Sequence, residues 1–350
     1  MILPQTYELV LALMILSLIC LGSWAGMFKL AGKWRFELFY LDFAFGLFLT
    51  ALIYSFTVGN LGFDGFNFLD DLMHAGKHQW LYAFLAGVIF NLANMLLMAC
   101  VAVAGMALAF PMTIGIAVLL ATAIGAISGQ PGNTLLIALG CLLLAVSVAL
   151  SAAAYRMTAV VRHETLARAG KAKTTRRPSS IKAILLALFG GLLMGSFGPL
   201  VEKASGGDIG MGPYSLTAMF ALGVLITTPV LSIFFMNLPA EGEPLEINAI
   251  FSTTWKQHVL GLLGGAIWCT GALAAAITIS VPLQIQPGPL LRSVLAQAWP
   301  LVAAIWGILI FREFKGTDAP VRILGVLTMV LYLCGLGMIA LAPIYVAGKG

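Results

Sequence analysis

Ten apolar runs of about 20 residues follow one another along the chain, separated by short polar or charged segments. A helix of about 20 residues crosses roughly 30 Å of hydrocarbon, so each run predicts one transmembrane helix. The pattern therefore predicts an all-α polytopic membrane protein. We place spans 1 to 10 at residues 7–31, 37–58, 80–103, 106–127, 134–155, 181–203, 213–236, 258–280, 287–311 and 321–345.

The longest charged segment separates span 5 from span 6 and divides the chain into two halves of five spans. Eight basic residues lie between positions 155 and 182, against a single acid, Glu164. Basic loops beside membrane spans stay in the cytoplasm, so this linker is predicted to be cytoplasmic. It is interpreted as a solvated tether, with contact to lipid headgroups as the alternative. The predicted units are a first five-helix repeat, a basic linker and a second five-helix repeat, at 1–155, 156–180 and 181–350.

The remaining basic residues agree with this orientation. Five spans precede the cytoplasmic linker, so both termini are predicted to lie outside. Fifteen Lys and Arg residues then fall on the cytoplasmic side, and three, Lys77, Lys203 and Lys349, fall outside. This bias is the one expected for an integral protein of the cytoplasmic (inner) membrane.

Composition excludes several other classes of protein. The chain of 350 residues is 61% hydrophobic and 9% charged, whereas soluble domains carry about a quarter charged residues. Its net charge of +5 comes from loops beside spans, so no nucleic-acid partner is expected. The five cysteines lie in apolar runs without CxxC or Cys/His pairing, which predicts neither disulfides nor a metal site. No nucleotide-binding glycine loop or nucleophile–base motif is present, so we expect no cofactor, no catalytic residue and no enzyme.

The longest predicted outer loop, at 59–79, is rich in acids, histidines and aromatic residues. Its amphipathic pattern predicts a short helix on the outer surface. A zinc site is the alternative, because two histidines four residues apart have acids nearby. The residues concerned are Asp64, Asp70, Asp71, His74 and His78.

Similar segments recur in the two halves of the chain. An odd number of spans per copy turns the second copy upside down, so ten spans are predicted to form two inverted five-helix repeats. Such transporters bind substrate near the membrane midplane, where the halves meet. The matching segments are 11–26 with 184–199, which aligns Gly22-Ser23-Trp24 with Gly195-Ser196-Phe197, and 85–90 with 263–268, whose offset aligns Pro111 with Pro289.

Polar residues within spans 3 and 8 are candidate ligand contacts. Asn91 and Asn94 are three residues apart and share a helix face. Two amides in one span bind either neighbouring helices or a ligand. The inverted counterpart of Asn91 lies near Trp268 and Thr270, so the second copy offers an aromatic surface where the first offers amides.

Spans 4 and 9 both open near a proline. Proline frees a backbone carbonyl, which a membrane tolerates only against protein or a wet cavity, and such interruptions indicate a transport site. Arg292 has an alternative role, because it lies close enough to the outer interface to extend there. The candidate substrate contacts are Thr113, beside Pro111, and Arg292, Ser293, Gln297 and Trp299 in span 9.

Two acids are candidate proton carriers. Asp42 lies inside span 2 and Glu202 at the end of span 6. A carboxylate in hydrocarbon is costly unless it is protonated or paired, so it is a functional candidate. Asp42 is predicted either to couple transport to protons or to form a structural ion pair with one of the basic residues Lys29, Lys33 and Arg35.

The motifs GSWAG in span 1, YLD in span 2 and PLVAAIWGILIFREF, which runs from span 9 into the basic loop after it, resemble the drug/metabolite transporter superfamily. The most similar branch contains the ureide permeases, with glucose/ribose porters and rhamnose–proton symporters as relatives. The resemblance implies ten spans in an inverted repeat. It also implies that Trp24, Asp42 and one face of span 9 belong to a pathway. Ureide permeases carry a phosphate-loop-like motif in a long central loop, whereas the shorter linker here lacks it.

The expected function is therefore proton-coupled import of a small polar metabolite by alternating access. Uncharged donors and aromatic rings suit a ureide or nucleobase-like ring, or a monosaccharide. Two further classes compete with this function, namely a drug or metabolite exporter and a lipid scramblase or structural membrane protein. Expected partners are the small-molecule substrate, protons and the lipid bilayer, and the protein is expected to be a monomer or homodimer.

Overall fold

The computed structural model describes residues 1–168, 181–240 and 242–345. The described residues form helices joined by short loops, with no strand among them. The helices are α1 (Tyr7–Ser23), α2 (Ala25–Leu30), α3 (Phe36–Phe56), α4 (Phe68–His74), α5 (Lys77–Ala104), α6 (Met106–Ile127), α7 (Thr134–Arg168), α8 (Ile181–Ser196), α9 (Gly198–Ser205), α10 (Pro213–Asn237), α11 (Trp255–Ser280), α12 (Pro289–Gln297), α13 (Trp299–Ile305) and α14 (Ala319–Leu341).

Within the described ranges, nine helical stretches are long and apolar enough to cross a membrane. Counting α12 and the helix from Trp299 to Ile310, which meet at an angle of 44°, as one bent span gives a tenth. All ten fall where the hydrophobic pattern predicts them. The prediction of a polytopic helical membrane protein is confirmed.

The end of span 5 differs from the prediction. Helix α7 continues to Arg168, although the apolar run ends near residue 155. The segment that follows contains Arg, Met, Ala, Glu and Leu residues, which are good helix formers. Four linker cations lie outside the described residues, as does Lys349 at the C-terminus; they are Lys171, Lys173, Arg176 and Arg177.

The helices alternate in direction, which gives the bundle two faces. The terminal face carries the N-terminus, α4 and the α6–α7 loop, where Asn133 N–H donates to the Ala342 carbonyl at 2.9 Å. The linker face carries the end of α7, the start of α8 and the α2–α3 turn.

Glycines allow the central helices to touch. Helix α3 crosses α11 at Gly46 and Gly265, and α10 crosses α5 at Gly223 and Gly87. A Cβ atom added to any of the four would collide with a backbone carbonyl of the facing helix. Small residues at such crossings let membrane helices approach closely, so these four helices form the centre of the bundle.

Three of the described spans contain a helix irregularity, and the one in span 9 bends the helix axis by 44°. Span 1 breaks at Trp24, between α1 and α2, and span 6 breaks at Phe197, between α8 and α9. Span 9 breaks at Ala298, where Pro300 follows in the first turn of α13. The Tyr332 hydroxyl of α14 donates to the Gln297 carbonyl at 3.2 Å, which partners one carbonyl at this break. By contrast, α6 runs through Pro111 without interruption, so the interruption predicted for span 4 is wrong.

The loop before α5 contains the predicted short helix, α4. Phe68 of α4 is buried against Met1 and Tyr214. Asp71 accepts hydrogen bonds from Gly212 N–H, at 2.8 Å, and from the Ser215 hydroxyl, so it caps α10. Among the described residues, no group of three or more His, Cys, Asp or Glu side chains is placed to hold a metal ion, which leaves the zinc alternative without support.

Candidate transport pathway

A cavity of about 250 Å³ lies between spans 1, 3, 4, 6, 8 and 9. We call it the central cavity. It is bordered by the breaks in spans 6 and 9, which is where irregular backbone is tolerated inside a membrane protein. Its larger and polar lining residues are Phe90, Asn94, Phe197, Trp268, Gln297 and Trp299.

The central cavity is uncharged and has two amide side chains. No lining residue carries an ionisable group. Asn94 Nδ2 donates to the buried Tyr40 hydroxyl at 3.0 Å, which fixes one end of the amide. Gln297 projects from the last turn of α12, at the break in span 9. An amide offers both donors and acceptors, so the pair suits a neutral ligand with mixed hydrogen-bonding groups.

Aromatic rings form the walls of the central cavity. Trp268 stacks on Phe220 with ring centroids 5.8 Å apart and an interplanar angle of 9°, and its ring centroid lies 4.4 Å from that of Phe90. Trp299 packs edge-on against Phe110, with centroids 5.6 Å apart. Rigid aromatic surfaces of this kind hold flat or ring-shaped ligands with little loss of side-chain freedom.

A second cavity lies between the central cavity and the terminal face. This vestibule has a volume of about 390 Å³ and shares Val118, Ala121 and Gln297 with the central cavity. Arg292 and Ser293 line it. The shared residues make the two cavities neighbours, and the α6–α7 loop in the lining of the vestibule lies at the terminal face. We call the two cavities together the path.

Aromatic packing closes the central cavity on the linker side. Trp24 is fully buried one turn beyond Leu21, which lines the cavity. The centroid of its ring lies 4.8 Å from the ring centroid of Phe43 and 6.4 Å from that of Phe110. The packing continues toward the linker face through Phe39, whose ring centroid lies 6.2 Å from that of Phe43. We call Trp24, Phe39, Phe43 and Phe110 the aromatic plug.

Glu313 joins three spans below the aromatic plug. Its carboxylate accepts hydrogen bonds from the N–H groups of Met106 and Ala107, at 2.9 and 2.8 Å, at the start of α6. It also pairs with the Lys29 ammonium of α2 at 3.1 Å. An anion at a helix N-terminus interacts favourably with the helix dipole and its free N–H groups. Glu313 therefore ties span 9 to spans 1 and 4 at the linker face.

Asp42 pairs with a histidine rather than with a lysine or arginine. Its Oδ2 lies 2.7 Å from His258 Nδ1, and His258 Nε2 contacts the Thr253 hydroxyl. The pair links α3 to α11 and does not line the central cavity. The predicted pairing with Lys29, Lys33 or Arg35 is wrong, because the ion-pair partner of Asp42 is His258. Lys29 binds Glu313 and Arg35 binds Glu37.

Two known transporters match this chain over most of their length. Ureide permease 1 of Arabidopsis thaliana is 22% identical, over 94% of this chain and 95% of its own sequence. Ureide permease 4 of the same plant is 24% identical, over 86% of this chain and 89% of its own. No family model matches the chain, and no solved structure matches it.

These similarities, together with the apolar helices, support an integral membrane transporter of small metabolites rather than an enzyme. The closer assignment to the drug/metabolite transporter superfamily stays a prediction. Identity of this degree also carries no residue role from the plant proteins to this chain, so the site rests on its own geometry.

The structure brings six of the predicted contacts to the path. Four of them line the central cavity, namely Asn94, Trp268, Gln297 and Trp299. Three line the vestibule, namely Arg292, Ser293 and again Gln297.

The other candidates lie elsewhere. Asn91 Nδ2 donates to the Thr227 and Thr228 hydroxyls at 2.8 and 3.0 Å, which favours its role as a link between α5 and α10. Thr113 is fully buried and packs against Gly190 and Gly191 of α8. Thr270 contacts the Tyr54 hydroxyl at 3.1 Å, Trp24 belongs to the aromatic plug, and Glu202 is exposed on α9.

Sequence reasoning missed His258, Glu313 and the cavity aromatics Phe90 and Phe197. A histidine at the first position of span 8 was a usable signal for His258, because an ionisable residue in a span needs a partner. Glu313 lies within the FREF motif, but its basic neighbours Arg312 and Lys315 made the segment resemble an ordinary cytoplasmic loop. Phe197 was aligned with Trp24 in the repeat, which identified its position but not its role.

Proposed function

We propose that this protein imports a small, neutral, polar ring compound by proton symport with alternating access. The first candidates are a ureide or a nucleobase-like compound. The observation that carries the proposal is the central cavity, which combines two amides with aromatic walls, has no ionisable side chain in its described lining and adjoins the vestibule toward the terminal face. Its volume lies near the lower end of ligand sites, which suits a metabolite better than a drug-sized molecule.

The packing of the spans supports two inverted five-helix repeats. Span 3 packs on spans 6 and 7, and span 8 packs on spans 1 and 2 in the corresponding way. Spans 5 and 10, which the repeat would relate to each other, pack together. The crossing of Gly46 with Gly265 has its counterpart in that of Gly223 with Gly87. In each copy the first span breaks at the aligned positions Trp24 and Phe197.

The distribution of basic residues supports placing the linker face in the cytoplasm. In this orientation the terminal face is outside the cell, and the path is open outward. Alternating access then requires the aromatic plug to separate and Glu313 to release Lys29 or the start of α6. A transporter of this kind exposes one site to each side in turn.

Proton coupling is assigned to Asp42, now together with its partner His258. A carboxylate and an imidazole 2.7 Å apart can share one proton, and the proton affinity of such a pair changes when the groups separate. The pair joins α3 to α11, two helices whose relative movement would change that distance. Glu202 remains a second candidate, although its exposure leaves its charged form well solvated.

A binding screen tests the substrate class. Purified protein is heated with allantoin, uracil, glucose, ribose, rhamnose or glycine, because a ligand that binds only the folded state raises the melting temperature. The expected result is stabilisation by allantoin or uracil. Stabilisation by a sugar alone would favour the monosaccharide porter.

Uptake into proteoliposomes then tests import. The labelled form of the stabilising compound is expected to move from the compartment at the terminal face into the compartment at the linker face and to accumulate there when the former compartment is the more acidic. Accumulation only in the opposite direction would favour an exporter, and an absence of uptake with any compound in the screen would contradict the proposal.

A further inference from the structure

We propose that Arg292 is a charge filter in the vestibule, so that the path admits neutral and anionic metabolites and rejects cationic metabolites. This inference deepens the proposed function and rests on it for its biological meaning. The geometry itself concerns only the vestibule. It assigns Arg292 a role in selecting solutes before they reach the central cavity.

The guanidinium of Arg292 is held in place rather than free to extend into water. Its Nη1 donates to Gln286 Oε1 at 2.6 Å. Gln286 is itself fixed, because its Nε2 donates to the Val281 carbonyl at 2.7 Å. The side chain is partly buried and lines the vestibule. A fixed charge beside a narrow path influences every solute that passes.

No other charge in the vestibule lining compensates Arg292. The lining comes from α6, the α6–α7 loop, the start of α7, the end of α11, α12 and the end of α14. Of these described lining residues, Arg292 is the one ionisable group. The central cavity beyond it is also free of ionisable lining residues. Along the described lining of this path, a solute therefore meets one positive charge and no negative charge.

The sign of this charge determines what enters. A cation approaching Arg292 is repelled, and a low-dielectric wall strengthens the repulsion relative to bulk water. A neutral ring meets no charge penalty, and its carbonyl groups can accept hydrogen bonds from the guanidinium. Channels and transporters exclude cations by the same device, an arginine beside the pore. The aromatic walls of the central cavity alone would attract organic cations. A positive charge in the vestibule would keep such cations from reaching those walls.

Cysteine labelling measures the potential at this point without requiring transport. Ala296 lies one helical turn from Arg292 and lines the vestibule. Ala296→Cys is introduced in a protein whose five native cysteines are replaced by Ser or Ala. It is labelled with an anionic sulfonatoethyl and a cationic trimethylammonioethyl methanethiosulfonate, and the ratio of the two rates is recorded. Arg292→Gln should lower the anion-to-cation ratio about tenfold, as expected for removal of a nearby unit charge.

Two matched variants separate charge from structure. Arg292→Lys keeps the charge and should retain most of the ratio. Arg322→Gln removes an equal charge at the linker face, where Arg322 donates to the Thr317 carbonyl at 3.0 Å, and should leave the ratio unchanged. Each variant is checked by its melting temperature and by a single peak in size exclusion. The proposed filter is contradicted if Arg292→Gln folds and leaves the labelling ratio unchanged. It is also contradicted if Arg292→Lys lowers the ratio as much as Arg292→Gln does.

The labelling result and the transport result can fail separately. If no compound in the screen is transported but Arg292→Gln still lowers the labelling ratio tenfold, the proposed function is contradicted and the effect of Arg292 on the local potential is established. A protein that imports a neutral ring with an unchanged ratio would contradict the filter alone. With both intact, uptake of uracil should become sensitive to competition by the cation 5-(aminomethyl)uracil only in Arg292→Gln.

Discussion

The two sides of the central cavity are built from different chemistry. Toward the terminal face the path passes small residues such as Ala121 and widens into the vestibule. Toward the linker face it meets the aromatic plug and then the Glu313–Lys29 pair. The open side is maintained by small side chains and the closed side by directional contacts. Opening the closed side therefore means breaking a few identifiable interactions.

The largest expected effect comes from Asp42→Asn, which tests whether the linker side carries a proton or merely closes the path. A coupling carboxylate can no longer change its charge, so accumulation driven by a pH gradient should be lost while exchange of substrate continues. Both are measured in proteoliposomes, and His258→Asn should behave in the same way. If Asp42→Asn still accumulates substrate when driven by a pH gradient, Asp42 has no role in proton coupling.

The second effect comes from removing the carboxylate that ties three spans together. Glu313→Ala leaves two N–H groups of α6 and Lys29 without their partner. Loss of a partly buried ion pair with hydrogen bonds should lower the free energy of unfolding by about 3 kcal/mol. It should also raise labelling of the buried Ala25→Cys from the linker face about tenfold, in proportion to the open population.

The matched control for this change is Glu246→Ala, which removes an exposed acid and should alter neither the unfolding free energy nor the labelling. Destabilisation by Glu313→Ala with no gain in labelling at Ala25→Cys would show that Glu313 supports the fold without closing the path.

A third, smaller effect separates the two amides of span 3. Asn94→Ala should weaken binding of the stabilising compound about fivefold, because one hydrogen bond contributes about 1 kcal/mol. Asn91→Ala should instead lower the melting temperature and leave binding unchanged, since its amide bonds Thr227 and Thr228. Binding is measured by titration calorimetry. The reverse pattern would exclude the central cavity as the substrate site.

The smallest effect is expected for single cations at the linker face. Lys29→Gln removes a partly exposed ion pair and should lower the free energy of unfolding by about 1 kcal/mol or less. Lys33→Gln, whose side chain is exposed in the same turn, serves as the control and should have no effect. A loss from Lys29→Gln as large as that from Glu313→Ala would mean that the ion pair, rather than the cap on α6, maintains the closure.

The hydrophobic pattern predicted all ten spans because the bilayer imposes a length and an apolar composition on each of them. It could not predict which side of a helix faces which neighbour. Asn91 and Asn94 illustrate this limit: a separation of three residues leaves their side chains about 60° apart around the axis. That angle is enough for Asn91 to face α10 while Asn94 faces the central cavity.

Long-range partners were beyond the reach of sequence patterns for a related reason. Asp42 and His258 are 216 residues apart in the chain, and Glu313 caps a helix that begins 207 residues earlier. Such contacts depend on how the two halves pack together, which local composition does not encode. The alignment of the two repeats anticipated most of this arrangement, because it matched Trp24 with Phe197, the residues at which spans 1 and 6 break.

The glycine crossings at the centre of the bundle determine how this chain tolerates variation. A substitution usually becomes more harmful as the side chain it removes becomes larger, but Gly46, Gly87, Gly223 and Gly265 have no side chain to lose. Each faces a carbonyl so closely that a single methyl group would force two helices apart. Gly337, by contrast, has open space around its missing Cβ. A library of alanine substitutions would therefore find the strictest positions among residues that contribute no side-chain contacts.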